Sequence, residues 1–269
     1  MAQKVRTLPR IPGIAKRPGN GKLTKTSATI AVYSVKGGVG KTTLAANLAW
    51  SSAELAGRST LLWDLDAAGG AGFLLGVEPR ETKPAEGVFA LDRDPAKLIR
   101  KTRFENLDVL PADESIRALN EQLTQLGKRK RLAKLVARLA DSYERVILDC
   151  PAVMNEISAQ VVRAADLVIV PLPPSPLSTR ALDLVVAETR SHGKSHPPIL
   201  PVLSMLDLRR NLHRDAREAN SDWPAIPYAS VIEQCAVRQR PVGAFAPSSP
   251  SAQRFASLWD AIERKLAKL

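Results

Sequence analysis

A chain of 269 residues, 45% hydrophobic and 25% charged, is long enough to bury a full core and short enough to form one compact domain. It has no apolar run near the ~20 residues a membrane-spanning helix needs and no apolar signal core at the N-terminus, so no membrane-spanning helix is expected and a cytoplasmic protein is. The two cysteines, Cys150 and Cys235, lie far apart and outside any Cys-x-x-Cys pair, which removes a disulfide framework or zinc site and leaves buried, unreactive thiols.

The net charge of +12 is unevenly placed. Residues 1–28 carry Lys4, Arg6, Arg10, Lys16, Arg17, Lys22 and Lys25 with no acid, and Pro9, Pro12, Pro18, Gly13, Gly19 and Gly21 break regular structure there. This segment is expected to be a disordered basic arm suited to polyanions, followed by a single domain over 29–269.

Taken in chain order, Thr29–Ser34 reads as a short buried strand, followed by a glycine loop and an apolar-periodic helix from Thr42 to Leu55. Gly57 ends that helix, and Ser59–Trp63 forms a strand that delivers Asp64 and Asp66 to its carboxyl end. Gly76–Asp94 reads as a loop with short helical pieces, and Leu107–Leu110 as a brief strand. A helical pattern spans Glu114–Ala140, broken near Gly127 and carrying the basic cluster Lys128 to Arg131. Arg145–Leu148 is a strand ending in Asp149; a helix over Glu156–Ala165, a strand over Leu167–Val170, a helix over Thr179–Ser191 and a strand over Ile199–Leu203 follow. The last segment, Ser251–Leu269, places Phe255, Leu258, Trp259, Ile262, Leu266 and Leu269 on one helical face. Alternating strands and helices predict an α/β fold: a doubly wound, mostly parallel sheet with helices on both faces.

The chemistry centres on Val35-Lys36-Gly37-Gly38-Val39-Gly40-Lys41-Thr42-Thr43. Glycines free successive backbone N–H groups to face phosphate oxygens while the following helix presents its positive end. Lys41 would reach the β- and γ-phosphates, and the Thr42 hydroxyl would ligate Mg²⁺. Strand, loop and helix occur in the order such a site requires.

The usual motif has glycine where this chain has Val35, and Lys36 follows it. In this the loop resembles the deviant Walker family that includes the ParA and MinD ATPases, and the resemblance covers about residues 29 to 265. It implies that Lys36 reaches the partner's nucleotide across an ATP-dependent homodimer. It also implies that Asp66, in Leu61-Leu62-Trp63-Asp64-Leu65-Asp66, positions or activates the attacking water, with Asp64 near the metal's water shell. Asp149, ending Arg145-Val146-Ile147-Leu148-Asp149, would hold Mg²⁺ through water. Gly37, Gly38, Val39, Gly40, Thr42 and Thr43 would contact the nucleotide, with Met205, Asp207 and Pro227 bordering the adenine. The family's second motif continues Pro-Gln, whereas here Ala67-Ala68-Gly69-Gly70 follows, an altered switch segment.

ParA-like proteins bind DNA non-specifically as ATP dimers, and a partner protein stimulates hydrolysis. Arg209, Arg210, Arg214, Arg217, Arg238 and Arg240 are the residues expected to meet phosphates, doubled by two-fold pairing. Nucleoid association and an unidentified adaptor or cargo protein are further implications. The alternative is a MinD-like membrane positioner using the terminal amphipathic helix as an anchor, although a helix packing on the sheet needs the same apolar stripe. An iron–sulfur relative would need paired cysteines that Cys150 does not provide, and a DNA-coating protein without enzymatic activity would bind DNA regardless of ATP.

Overall fold

The computed structural model describes residues 27–79, 95–113, 115–116, 130–191 and 196–269. The basic arm before residue 27, most of the Gly76–Asp94 segment, and Lys128 and Arg129 of the basic cluster lie outside them.

Eight strands form one sheet in the order β3-β4-β2-β5-β1-β6-β7-β8. They are β1 (Ala28–Val32), β2 (Thr60–Asp64), β3 (Arg100–Lys101), β4 (Leu107–Leu110), β5 (Arg145–Asp149), β6 (Leu167–Leu172), β7 (Ile199–Leu206) and β8 (Ala225–Pro227). All neighbours are parallel except β3, which pairs antiparallel with β4 at one edge. The central strands β1, β2, β5 and β6 are buried along their whole length, as continuous Val, Ile and Leu runs demand when helices cover both faces.

The helices among the described residues are α1 (Lys41–Trp50), α2 (Gly70–Leu74), α3 (Arg131–Leu139), α4 (Glu156–Ala164), α5 (Pro176–Ser191), α6 (Asn211–Ala219), α7 (Ser230–Arg238), α8 (Val242–Phe245) and α9 (Pro250–Leu266). The helix expected over Thr42–Leu55 is α1 continued by a π-helical turn at Ser51–Leu55. From the Glu114–Ala140 pattern the described helix is α3 alone, and its Arg131 is buried rather than part of a solvated basic face. The strands β6 and β7 run further than periodicity suggested, through Pro171 and out to Leu206. The sequence reading did not assign α6, β8, α7 or α8. Their apolar positions are sparse because each is covered on one side only: α6 buries His213 and α7 buries Cys235.

The terminal helix α9 packs against the sheet. Ser249 caps it by accepting from the Ala252 amide, and Pro250 starts its first turn. Phe255, Leu258, Trp259, Ile262 and Leu266 are buried in the same core as α1 and the sheet, each contributing about 1.5–3 kcal/mol of transfer free energy. Leu269, expected on that face, lies beyond the helix and is 61% exposed. Glu263 adds an ion pair, accepting from Arg145 Nε at 2.7 Å and Nη2 at 2.9 Å, with the Arg145 side chain only 2% exposed. No helix among the described residues is long and apolar enough to cross a membrane.

Candidate active site

Parallel strands deliver their carboxyl ends to one edge of the sheet, where α/β proteins bind ligands. Three groups meet there: the loop between β1 and α1, the end of β2 and the end of β5.

The loop turns on left-handed backbone at Gly38 (φ 68) and Gly40 (φ 86), conformations that cost a side chain energy. Gly40 is also the residue preceding α1, so the free amides of the first turn of that helix face the concavity of the loop. Lys41 is buried at the helix start, and its Nζ donates to the Lys36 carbonyl at 3.3 Å. Burial pulls the Lys41 ammonium below its ordinary value while the charges of Asp149 and Asp66 push it back up. A cation held this way is poised for an anionic ligand.

Asp149 is fully buried at the end of β5, and neither carboxylate oxygen has a hydrogen-bonding partner. Burial and the neighbouring Asp64 push its carboxyl well above the usual range, while the nearby Thr42 hydroxyl and Lys41 favour the ion. A buried, unsatisfied carboxylate costs several kcal/mol, roughly, unless a cation or water completes it. Thr42 and Asp149 therefore fit Mg²⁺. Among the described residues no cluster of three or more His, Cys, Asp or Glu could hold a metal, so the ion needs phosphate oxygens and water as further ligands.

Asp64 serves a different purpose. Its Oδ1 accepts from the Asp66 amide at 3.0 Å and its Oδ2 from the Ala71 amide at 2.9 Å, so both oxygens brace the segment that follows β2. Burial pushes its carboxyl up to about 7 despite these amides. Asp66 is half-buried and accepts from the Ala68 amide at 3.1 Å, while Gly69 closes a turn onto the Asp66 carbonyl at 2.9 Å. The unusual Ala67-Ala68-Gly69-Gly70 thus forms a tight Asx turn into α2. A Cβ on Gly70 would stand 3.0 Å from Thr42 Cγ2, so glycine is what lets this segment approach the metal-facing helix.

Lys36 is half-buried and reaches Ser175 Oγ at 3.4 Å and Ser178 Oγ at 3.3 Å, at the start of α5. These serines were not singled out from sequence, since Ser near a proline reads only as a cap or turn. Within one chain, then, Lys36 is anchored away from its own phosphate loop.

Beside the loop lies a cavity of about 280 Å³, near the ~300 Å³ lower end of small-ligand clefts. Val39, Gly40 and Thr43 form its phosphate-side wall, and Met205, Ile226 and Pro227 its far wall. Met205 has a left-handed backbone (φ 52) where the β7–β8 register shifts, which turns its side chain to within 3.4 Å of a Cβ on Gly40. Ser204 Oγ, also in the lining, is buried without a partner. Asp207 is a correction: it is not among the residues lining the cavity, and its half-buried carboxylate instead holds the exposed Arg209 by Nε at 2.8 Å and Nη2 at 2.9 Å.

The six arginines diverge. Arg210 and Arg240 are exposed. Arg214 donates to the carbonyls of Leu208 (3.1 Å) and Arg209 (3.4 Å) and to Asn211 Oδ1, bracing the turn into α6. Arg238 bonds Gln234 at 3.0 Å and stacks 5.0 Å over the Phe245 ring. Arg217 is a second correction, since it is half-buried and donates to the carbonyls of Asn220 and Trp223 at 3.4 and 2.6 Å, closing the α6–β8 turn instead of facing solvent.

A chain that assembles these groups at this edge is a P-loop nucleoside triphosphatase. Comparison with known proteins narrows the class. A family model described as AAA domain (AAA_31) matches residues 27–197. The sporulation initiation inhibitor Soj of Bacillus subtilis is 30% identical over 189 residues, covering 68% of this chain and 74% of Soj. The chromosome partitioning protein ParA of Caulobacter vibrioides is 30% identical over 212 residues, covering 76% of this chain and 79% of that protein. In fold, an ATP complex of a Cyanothece McdA variant aligns with a TM-score of 0.76 over 88% of this chain and 97% of that one, at 20% identity. The chain belongs to the family of ParA/MinD-type partitioning and positioning ATPases and is an ATPase with ATP and Mg²⁺ as its nucleotide and metal.

Proposed function

We propose that the chain is an ATP-dependent dimerising switch that binds non-specific DNA in its ATP state and positions DNA or a large cargo, with slow partner-stimulated hydrolysis. The observation that carries this reading is Lys36. A cation beside the phosphate loop, held on α5 of its own chain, is free to exchange serine hydroxyls for the partner's phosphate when two such edges meet. The same edge carries Leu177 (68% exposed) and Met154 (49% exposed), apolar side chains suited to burial between two copies.

In the site, the loop amides and Lys41 hold the phosphates, Thr42 and Asp149 hold Mg²⁺, and Asp66 orients the attacking water. Held by Thr42 and, through water, Asp149, Mg²⁺ would supply charge neutralisation for the phosphoryl oxygens. Arg210, Arg240 and the outward portions of Arg209, Arg214 and Arg238 are the phosphate contacts on DNA, and the complex associates with the nucleoid. Burial of the α9 stripe and the Glu263–Arg145 pair supports core packing over membrane anchoring for that helix.

DNA affinity measured by fluorescence anisotropy with ATP, ADP and no nucleotide tests the switch. ATP alone is expected to produce tight binding, with steep loss on adding salt. Equal affinity in all three states overturns the proposal.

A further inference from the structure

The cavity beside the phosphate loop has a mostly apolar lining that includes one carboxylate, that of the exposed Glu233. Ala229, Ile232, Glu233 and Ala236 all line it, and their spacing puts them on one face of α7 or at its cap. On that face Glu233 alone carries a charge. Tyr228, itself exposed, also lines the cavity, and its hydroxyl donates to Glu233 Oε1 at 2.7 Å. This bond holds the carboxylate in one direction, and it raises the Tyr228 hydroxyl above its ordinary value.

An acid in the first turn of a helix also complements the helix dipole. That role would not require Glu233 to line a cleft, nor Tyr228 to hold it there. Apolar ligand pockets use a few placed polar groups to fix orientation and specificity, and this pair has that form.

We propose that Glu233, positioned by Tyr228, reads the exocyclic 6-amino group of the nucleotide base, making it the residue that selects adenine. Its Oε2 is the acceptor for one N–H of the amine. Tyr228 already donates to Oε1, which leaves Oε2 the freer acceptor for the amine. Guanine presents two adjacent donors that call for both carboxylate oxygens, and its carbonyl stands where adenine has the amine. Met205 and Pro227 supply the apolar walls for the ring. The inference rests on the cavity being the base site.

The test is calorimetric titration of the full chain with Mg²⁺ and either ATP or purine riboside triphosphate, which replaces the 6-amino group with hydrogen. Wild type is expected to prefer ATP roughly 10- to 100-fold, the span of a hydrogen bond to a charged group. Glu233→Ala should bring ATP down to the affinity of the analogue and leave the analogue unchanged. Glu233→Gln, whose amide oxygen still accepts, should restore part of the preference, and Tyr228→Phe should reduce it without removing it. The conservative Gln and Phe variants decide the matter if circular dichroism shows Glu233→Ala unfolded. Preference for ATP that persists in Glu233→Ala or in both conservative variants at wild-type strength overturns the inference. Tight binding of both ligands by wild type with equal affinity also overturns it but leaves the nucleotide site standing, whereas binding of neither removes the site itself.

Discussion

The phosphate loop and the arginine-bearing segment after β7 lie at the same edge of one sheet, yet they hold charge in opposite ways. At the loop, charged groups are buried and left incomplete: Asp149 has no partner, and Lys41 is pulled below its ordinary value. After β7, charged groups are exposed or half-buried and mostly paired within the chain: Arg209 with Asp207, the half-buried Arg217 with two carbonyls, and Arg214 with the turn it braces. Buried incompleteness is costly and is kept where a ligand repairs it. Exposed pairs cost little to make or exchange, which suits a surface that must attach and release. An arginine count from sequence therefore overstates a polyanion surface, while the buried, unpaired carboxylate of Asp149 marks a place for a ligand.

The contrast can be broken in graded steps. The largest effect is expected for Lys41→Ala, which should lower ATP hydrolysis by about 10²–10³-fold in a phosphate-release assay, because it removes a fixed charge from the transferring group. Its melting temperature should not fall, since the buried amine is not a stabilising element; a large fall would place Lys41 among structural residues instead. Asp66→Ala should likewise abolish turnover while ATP and DNA binding persist. Normal turnover in that variant removes Asp66 from the mechanism.

Next in size is Arg145→Ala. It leaves Glu263 at the sheet–α9 contact with only the longer 3.5 Å pair to Arg58 among the described residues, and should cost about 2–4 kcal/mol in urea unfolding. A cost no greater than that of Arg210→Ala would erase the buried-versus-exposed distinction. Lys36→Ala is expected to abolish ATP-dependent dimerisation in light scattering with ATP affinity retained, because among the described residues Lys36 Nζ meets Ser175 and Ser178. A variant that still dimerises removes the trans role.

The smallest effect separates two arginines that look alike in sequence. Arg210→Ala should flatten the log–log salt slope of DNA binding by about 0.9 per lost phosphate contact. Arg217→Ala should lower the melting temperature and leave that slope unchanged. The reverse result would return Arg217 to the DNA face.

Much of the sheet was legible because its central strands are buried on both sides, so they appear as unbroken apolar runs ending in Asp64 or Asp149. The segment from Asn211 to Phe245 was not, because α6 and α7 bury few residues, His213 in the one and Cys235 in the other, and so show no apolar stripe. Within the site, Lys41, Thr42 and Asp149 follow from a local motif whose spacing alone dictates their meeting. Tyr228, Glu233, Ser204, Ser175 and Ser178 come from distant segments, and ordinary residue types at turns and helix starts carry no signal of that convergence.

Sequence by itself determined the phosphate loop, because glycine backbone freedom and a helix start are properties of neighbouring residues. Tertiary structure decided what the loop faces. Where β7 bulges at Met205, where α9 spends its apolar stripe, and which arginines remain free depend on contacts between residues far apart in the chain, and their energies exist only once the sheet is assembled.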